Sequence, residues 1–141
     1  ERGAVVHLTR ETDVDVSLGD RVNLINKLKP TVAISIHYNS LPDGGDAIKT
    51  KGVSTFWYNP QAQDLAMFLQ TYLVKKLNRP SYGVYWNNLA LTRPHTTPAV
   101  LLELGFMINP QEFEWITNPA DQEKLVNAIA DGITEWLHKS Q

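Results

Sequence analysis

Two apolar stretches of this chain each carry a group able to do metal or acid–base chemistry. The first, Val32-Ala33-Ile34-Ser35-Ile36-His37-Tyr38-Asn39-Ser40, reads as a strand ending on an imidazole and a carboxamide. The second, Pro98-Ala99-Val100-Leu101-Leu102-Glu103-Leu104-Gly105-Phe106, sets a carboxyl in a run that reads as a buried strand over Val100 to Leu102. An ionised carboxylate there is costly unless something compensates it. A neutral imidazole at a strand end is a good zinc ligand. A nearby carboxylate that is not a ligand can take a proton from an attacking water and pass it to a leaving amine. A plainer reading exists beside this one: a satisfied core histidine and a structurally paired carboxylate. Residue types and spacing leave both open.

Short buried strands that deliver such groups near their C-terminal ends imply a site at the edge of an α/β sheet. The remaining elements follow from pattern. Ala4 to Leu8 reads as a strand, and Ser17 with Asp20 as a capping box opening a helix over about Leu18 to Leu28. Leu18, Val22, Ile25 and Leu28 then share its apolar face. Arg10, Asp13 and Arg21 read as a structural charge network. Leu41 to Lys51, with its Pro and glycines, reads as an exposed loop beside the proposed site. Gly52 to Tyr58 reads as a strand, and about Gln61 to Leu77 as a helix burying Leu65, Phe68, Leu69, Tyr72, Leu73 and Leu77. Asn78 to Tyr82 reads as a turn and Val84 to Thr92 as one further strand. Arg93 to Pro98 is a loop expected near the site. Asn109-Pro110 and Asn118-Pro119 open two final helices, to about Ile116 and His138. The expected fold is a single α/β domain, with a mixed, mostly parallel sheet flanked by helices on both faces.

Bulk properties narrow the function. The chain has 141 residues, 43% hydrophobic and 20% charged, which suits one domain with a sizeable core. A net charge of -2 without a basic cluster argues against a nucleic-acid groove. The absence of cysteine removes disulfides and thiolate metal sites. No apolar run approaches membrane-spanning length, and no stretch has the pattern of a signal peptide. The opening Glu1-Arg2-Gly3 reads as the end of a helix, so upstream material is expected.

Taken together, Thr9-Arg10-Glu11-Thr12-Asp13, Leu18, Arg21, Ser35-Ile36-His37-Tyr38-Asn39-Ser40, Gly52-Val53, Leu65-Ala66 and Pro98 to Phe106 with Asn109 resemble the zinc-dependent N-acetylmuramoyl-L-alanine amidases of bacterial cell walls. The S-I-H-x-N-S and L-x-E-L-G-F segments are the specific ones. The resemblance implies hydrolysis of the amide between N-acetylmuramic acid and L-alanine of peptidoglycan, outside the cytoplasmic membrane, in the periplasm or beyond the cell. It implies one zinc ion with His37 as the last ligand and Glu103 as the catalytic acid–base. Two earlier ligands, and the family's first strand and helix, are expected upstream of Glu1, so residues 1–141 are expected to be a catalytic domain lacking them. Asn39, two residues past the ligand, reads as orienting either substrate or a loop, and Arg93 either as meeting a stem-peptide carboxylate or as a plain surface or structural arginine. The expected partner is peptidoglycan or a muropeptide, met by a monomer. The alternative is an amidase-like peptidoglycan-binding module without catalysis; a third reading is another zinc peptidase.

Overall fold

The structure, a computed structural model, describes residues 2–41 and 44–140. Its elements in chain order are α1 (Leu18–Leu28), β1 (Ala33–Asn39), β2 (Val53–Trp57), α2 (Gln63–Leu77), β3 (Ser81–Trp86), β4 (Ala99–Phe106), α3 (Pro110–Thr117) and α4 (Pro119–Lys139). The four strands form one sheet in the order β1-β4-β2-β3. β1 runs parallel to β4 and β2 parallel to β3, while β2 and β4 are antiparallel. This is a single mixed α/β domain, as the pattern implies.

Alternation along the strands decides what each face carries. Val53 on β2 and Val100, Leu102 and Leu104 on β4 point into the core with Leu65, Leu69 and Leu73 of α2 and Leu125 and Ile129 of α4. The three leucines of α2 fall at intervals of four and are fully buried. Each contributes about 1.5–3 kcal/mol by leaving water. Thr55, on the same face, donates to Gln70 Oε1 of α2 at 2.9 Å, and Gln70 Nε2 donates in turn to Val53 O at 2.7 Å. The intervening residues, Ser54, Leu101 and Glu103, therefore face the other side of the sheet.

Several boundaries differ from expectation. Ala4 to Leu8 is not a strand: no sheet hydrogen bonds hold it, and Val5, Val6 and Leu8 are 85%, 73% and 62% exposed. An extended apolar segment becomes a strand only where a neighbour accepts its backbone bonds, and none of the described residues does so. α1 starts where its capping box implies, with Asp20 N donating to Ser17 Oγ at 3.0 Å. No residue of its apolar face is fully buried, however: Val22 and Ile25 are half-buried, and Leu18 and Leu28 are exposed. Val6, His7, Leu8, Glu11, Leu24 and Leu28 instead line a cleft of about 320 Å³ between that helix and the 4–8 segment. β3 begins at Ser81, inside the stretch expected to turn, because Val53 N bonds Pro80 O and draws the chain into pairing at once. It ends at Trp86, where Asn87 N bonds Trp57 O and the chain leaves the sheet. Pro42 and Asp43, in the expected loop, lie outside the described residues.

Gly105 of the L-x-E-L-G-F segment has φ +142, a backbone region that L side chains rarely adopt, and a Cβ there would stand 3.0 Å from Glu112 Oε2. Gly105→Ala is expected to lower the free energy of unfolding by about 1–3 kcal/mol, the usual cost of a strained backbone residue. A urea titration measures it; an unchanged midpoint would show that the strand backbone at Gly105 relaxes freely.

Candidate active site

The register builds the site. His37 on β1 is the partner of Glu103 on β4, and Glu103 is the partner of Ser54 on β2. Ser54 is in turn the partner of Gly83 on β3. Residues in register on neighbouring strands project to the same side. His37, Glu103 and Ser54 thus form one row across the sheet, on the face turned away from α2 and α4. Exposure rises along it: Ser54 is fully buried, Glu103 half-buried and His37 open to solvent at the rim. At the buried end, Tyr85 ring atoms lie 3.0 Å from where a Gly83 Cβ would stand, so an aromatic ring closes the row there.

The electrostatics suit acid–base work. Loss of hydration, and then the positive charge of Arg21 on α1, hold the His37 imidazole below its ordinary pKa. That favours the neutral form, the form that ligates metals. Burial pushes the Glu103 carboxyl above its ordinary pKa, and its Oε2 has no hydrogen-bond partner. No basic side chain pairs with it among the described residues. Among the described residues, then, Glu103 has no partner of the kind a structurally paired carboxylate would have.

Other expected residues fall differently. Asn39 does not continue the face of His37: the register slips between them, so Asn39 pairs with Phe106. Its Oδ1 accepts from Ser40 N at 2.9 Å, which closes the strand end. Arg93 is not brought to the pair. Its backbone oxygen accepts from Asn59 Nδ2 at 2.8 Å, and its Nε donates to Asn88 Oδ1 at 2.8 Å. Asn59 lies five residues beyond Ser54, about 16 Å along an extended chain. The loop from Arg93 to Pro98 enters β4 at the end opposite Glu103, correcting its expected position near the site. Arg21 donates to Val16 O and Thr9 Oγ1, as a structural arginine does, yet its charge also reaches His37. Ser54 is the residue that sequence reasoning missed, since nothing in G-V-S-T-F marks which face of its strand will meet Glu103.

Among the described residues, no group of three or more histidine, cysteine or acidic side chains is placed to hold a metal ion. His37 fits as one ligand of a zinc site, by chemistry and by its favoured neutral form. The described residues by themselves do not complete such a site.

A mixed α/β sheet carrying an imidazole and an unpartnered carboxyl side by side on an accessible face defines the class: an α/β protein equipped for acid–base chemistry. Within that class, the chain belongs to the N-acetylmuramoyl-L-alanine amidase family, hydrolases by name, whose model matches residues 1–135. It is 34% identical to the probable cell wall amidase LytH of Staphylococcus saprophyticus over 97% of this chain and 44% of that protein. It is 30% identical to the germination-specific N-acetylmuramoyl-L-alanine amidase of Bacillus subtilis over 97% of this chain and 63% of the relative. The chain thus spans about half the length of these curated relatives. The catalytic domain of CwlV, an N-acetylmuramoyl-L-alanine amidase from Paenibacillus polymyxa, superposes with a TM-score of 0.86 at 32% identity over 95% of this chain and 73% of that one.

Proposed function

We propose that residues 1–141 are the greater part of a zinc-dependent amidase domain that hydrolyses the bond between N-acetylmuramic acid and L-alanine in peptidoglycan. What supports this most is the adjacency of His37 and Glu103 in register on one face, two residues that lie 66 apart in the chain. His37 is one zinc ligand, and the others come from outside the described residues. Zinc, when bound, polarises the scissile carbonyl and acidifies water. Glu103, with no side chain competing for its Oε2, takes the water proton and delivers it to the departing L-alanine nitrogen. The substrate places this work in the cell envelope or outside the cell, performed by a monomer. No helix of the described residues is long and apolar enough to cross a membrane.

The test uses the full polypeptide that contains this chain. Zinc is counted by metal analysis, and products from purified peptidoglycan are weighed by mass spectrometry. Free L-alanine amino termini on the stem peptides are expected, with about one zinc per chain. His37→Ala is expected to lose the metal and cleavage together. Full cleavage by zinc-free protein, or products cut within the stem peptide, would overturn the proposal.

A further inference from the structure

The row carries one more polar atom than the chemistry above uses. Ser54 Oγ is fully buried and has no hydrogen-bond partner, and the same is true of Glu103 Oε2 in the neighbouring register position. Buried hydroxyls are nearly always satisfied, because a donor stripped of water loses its bond without compensation. Two unsatisfied atoms side by side, one a donor and one an acceptor, complement each other. Directly opposed residues on antiparallel strands have Cβ atoms about 4.5–5.5 Å apart. Side-chain rotation alone brings a serine hydroxyl and a glutamate oxygen within bonding range at that separation. On the other flank Tyr85 lies over Gly83, the register partner of Ser54, and its hydroxyl already donates to Tyr82 O at 2.8 Å, so Glu103 is the neighbouring position with an unsatisfied polar atom.

We propose that Ser54 is a positioning residue for the amidase reaction: its hydroxyl donates to Glu103 Oε2 when substrate is bound, and holds the carboxyl at the angle from which it exchanges the proton of water. The inference rests on the amidase reading of the site. In the step itself Glu103 Oε1 receives the proton as the water oxygen bonds to the carbonyl carbon. The same proton goes to the nitrogen as the carbon–nitrogen bond breaks. Ser54 keeps its own proton throughout. Because its bond forms to Glu103 and not to substrate, it acts on turnover and leaves binding alone.

Ser54→Ala and Ser54→Cys in the full polypeptide, assayed with zinc on peptidoglycan, test this. Ser54→Ala is expected to lower kcat by about ten- to a hundredfold, the worth of a hydrogen bond to a charged group, with KM changed by less than about twofold. Its unfolding temperature should stay level or rise, because the substitution removes an unsatisfied buried hydroxyl. Ser54→Cys, of similar size and a weaker donor, should fall between alanine and the native residue in kcat. A kcat for Ser54→Ala within about twofold of the native value overturns the positioning role. So does a loss of kcat that comes with a lowered unfolding temperature and is as large in Ser54→Cys. If the unsubstituted polypeptide itself leaves the muramoyl–alanine bond intact, the amidase reading fails and this inference fails with it, which the first control shows before any variant is compared.

Discussion

Glu103→Gln is expected to lower kcat for muramoyl–alanine cleavage by about 10²–10⁴-fold, the range that a positioned acid–base group contributes. The glutamine keeps the shape of the side chain and loses only the ability to carry the proton. Zinc content should be unchanged, because in the proposed reaction Glu103 handles water and is not a ligand. The same substitution should have a pH-dependent effect on stability in the zinc-free chain. Burial raises the folded pKa of Glu103 above its ordinary 4.5. The folded state therefore favours the protonated acid, and the native protein loses stability as pH rises from about 4.5 through the raised folded pKa. The variant has no such titration. Its unfolding temperature relative to the native chain should thus be higher at pH 8 than at pH 4. Retained cleavage would remove Glu103 from the mechanism. A stability difference independent of pH would show that the carboxyl is not desolvated.

Glu112→Ala is expected to have the largest effect on folding. Glu112 is 1% exposed and sits at the centre of a polar knot. It accepts from Phe106 N at 2.7 Å and from Gly52 N at 3.1 Å, and it is paired with the guanidinium of Arg79. Arg79 in turn stacks on Trp115 with its guanidinium carbon 4.4 Å from the ring centroid. One side chain therefore ties together the end of β4, the start of β2 and the chain after α2. Removing one partner of a buried ion pair costs about 3–5 kcal/mol, because the other charge is left uncompensated. Here two backbone amides lose their acceptor as well. Against the usual 5–15 kcal/mol of a native domain, that loss brings the protein near its unfolding midpoint. A urea titration of Glu112→Ala beside Glu112→Gln measures it. The glutamine variant, which keeps an acceptor oxygen, should lose less. Equal, small losses in both would show that the knot is replaceable.

Much of the framework was legible from local pattern. The 3.6-residue spacing of Leu65, Leu69 and Leu73 located α2, and Asn109-Pro110 and Asn118-Pro119 marked the starts of α3 and α4, where each asparagine accepts two backbone amides. His37 and Glu103 were identifiable because polar groups interrupt apolar strands, and the resemblance of the surrounding segments pointed to one family. Glu112 was overlooked, although its four-residue offset from Ile116 puts it on the inward face of α3, where a carboxyl needs partners. Arg93 was misplaced because nearness to β4 in the chain says nothing about which end of the strand a loop approaches.

The family came from the resemblance of whole segments, while residue types and short-range periodicity by themselves located most of the strands and helices near the site and the two chemically capable side chains. Those features depend on neighbours within a few residues, whose physics is written locally. Only the tertiary structure decided that β1 lies beside β4 and β2 on its other flank, which sets His37, Glu103 and Ser54 in one row. It alone decided that Ala4 to Leu8 goes unpaired and that Glu112 gathers three distant segments. Strand order and register arise from contacts between residues far apart in the chain, and a slip of one position would turn every one of these side chains to the opposite face.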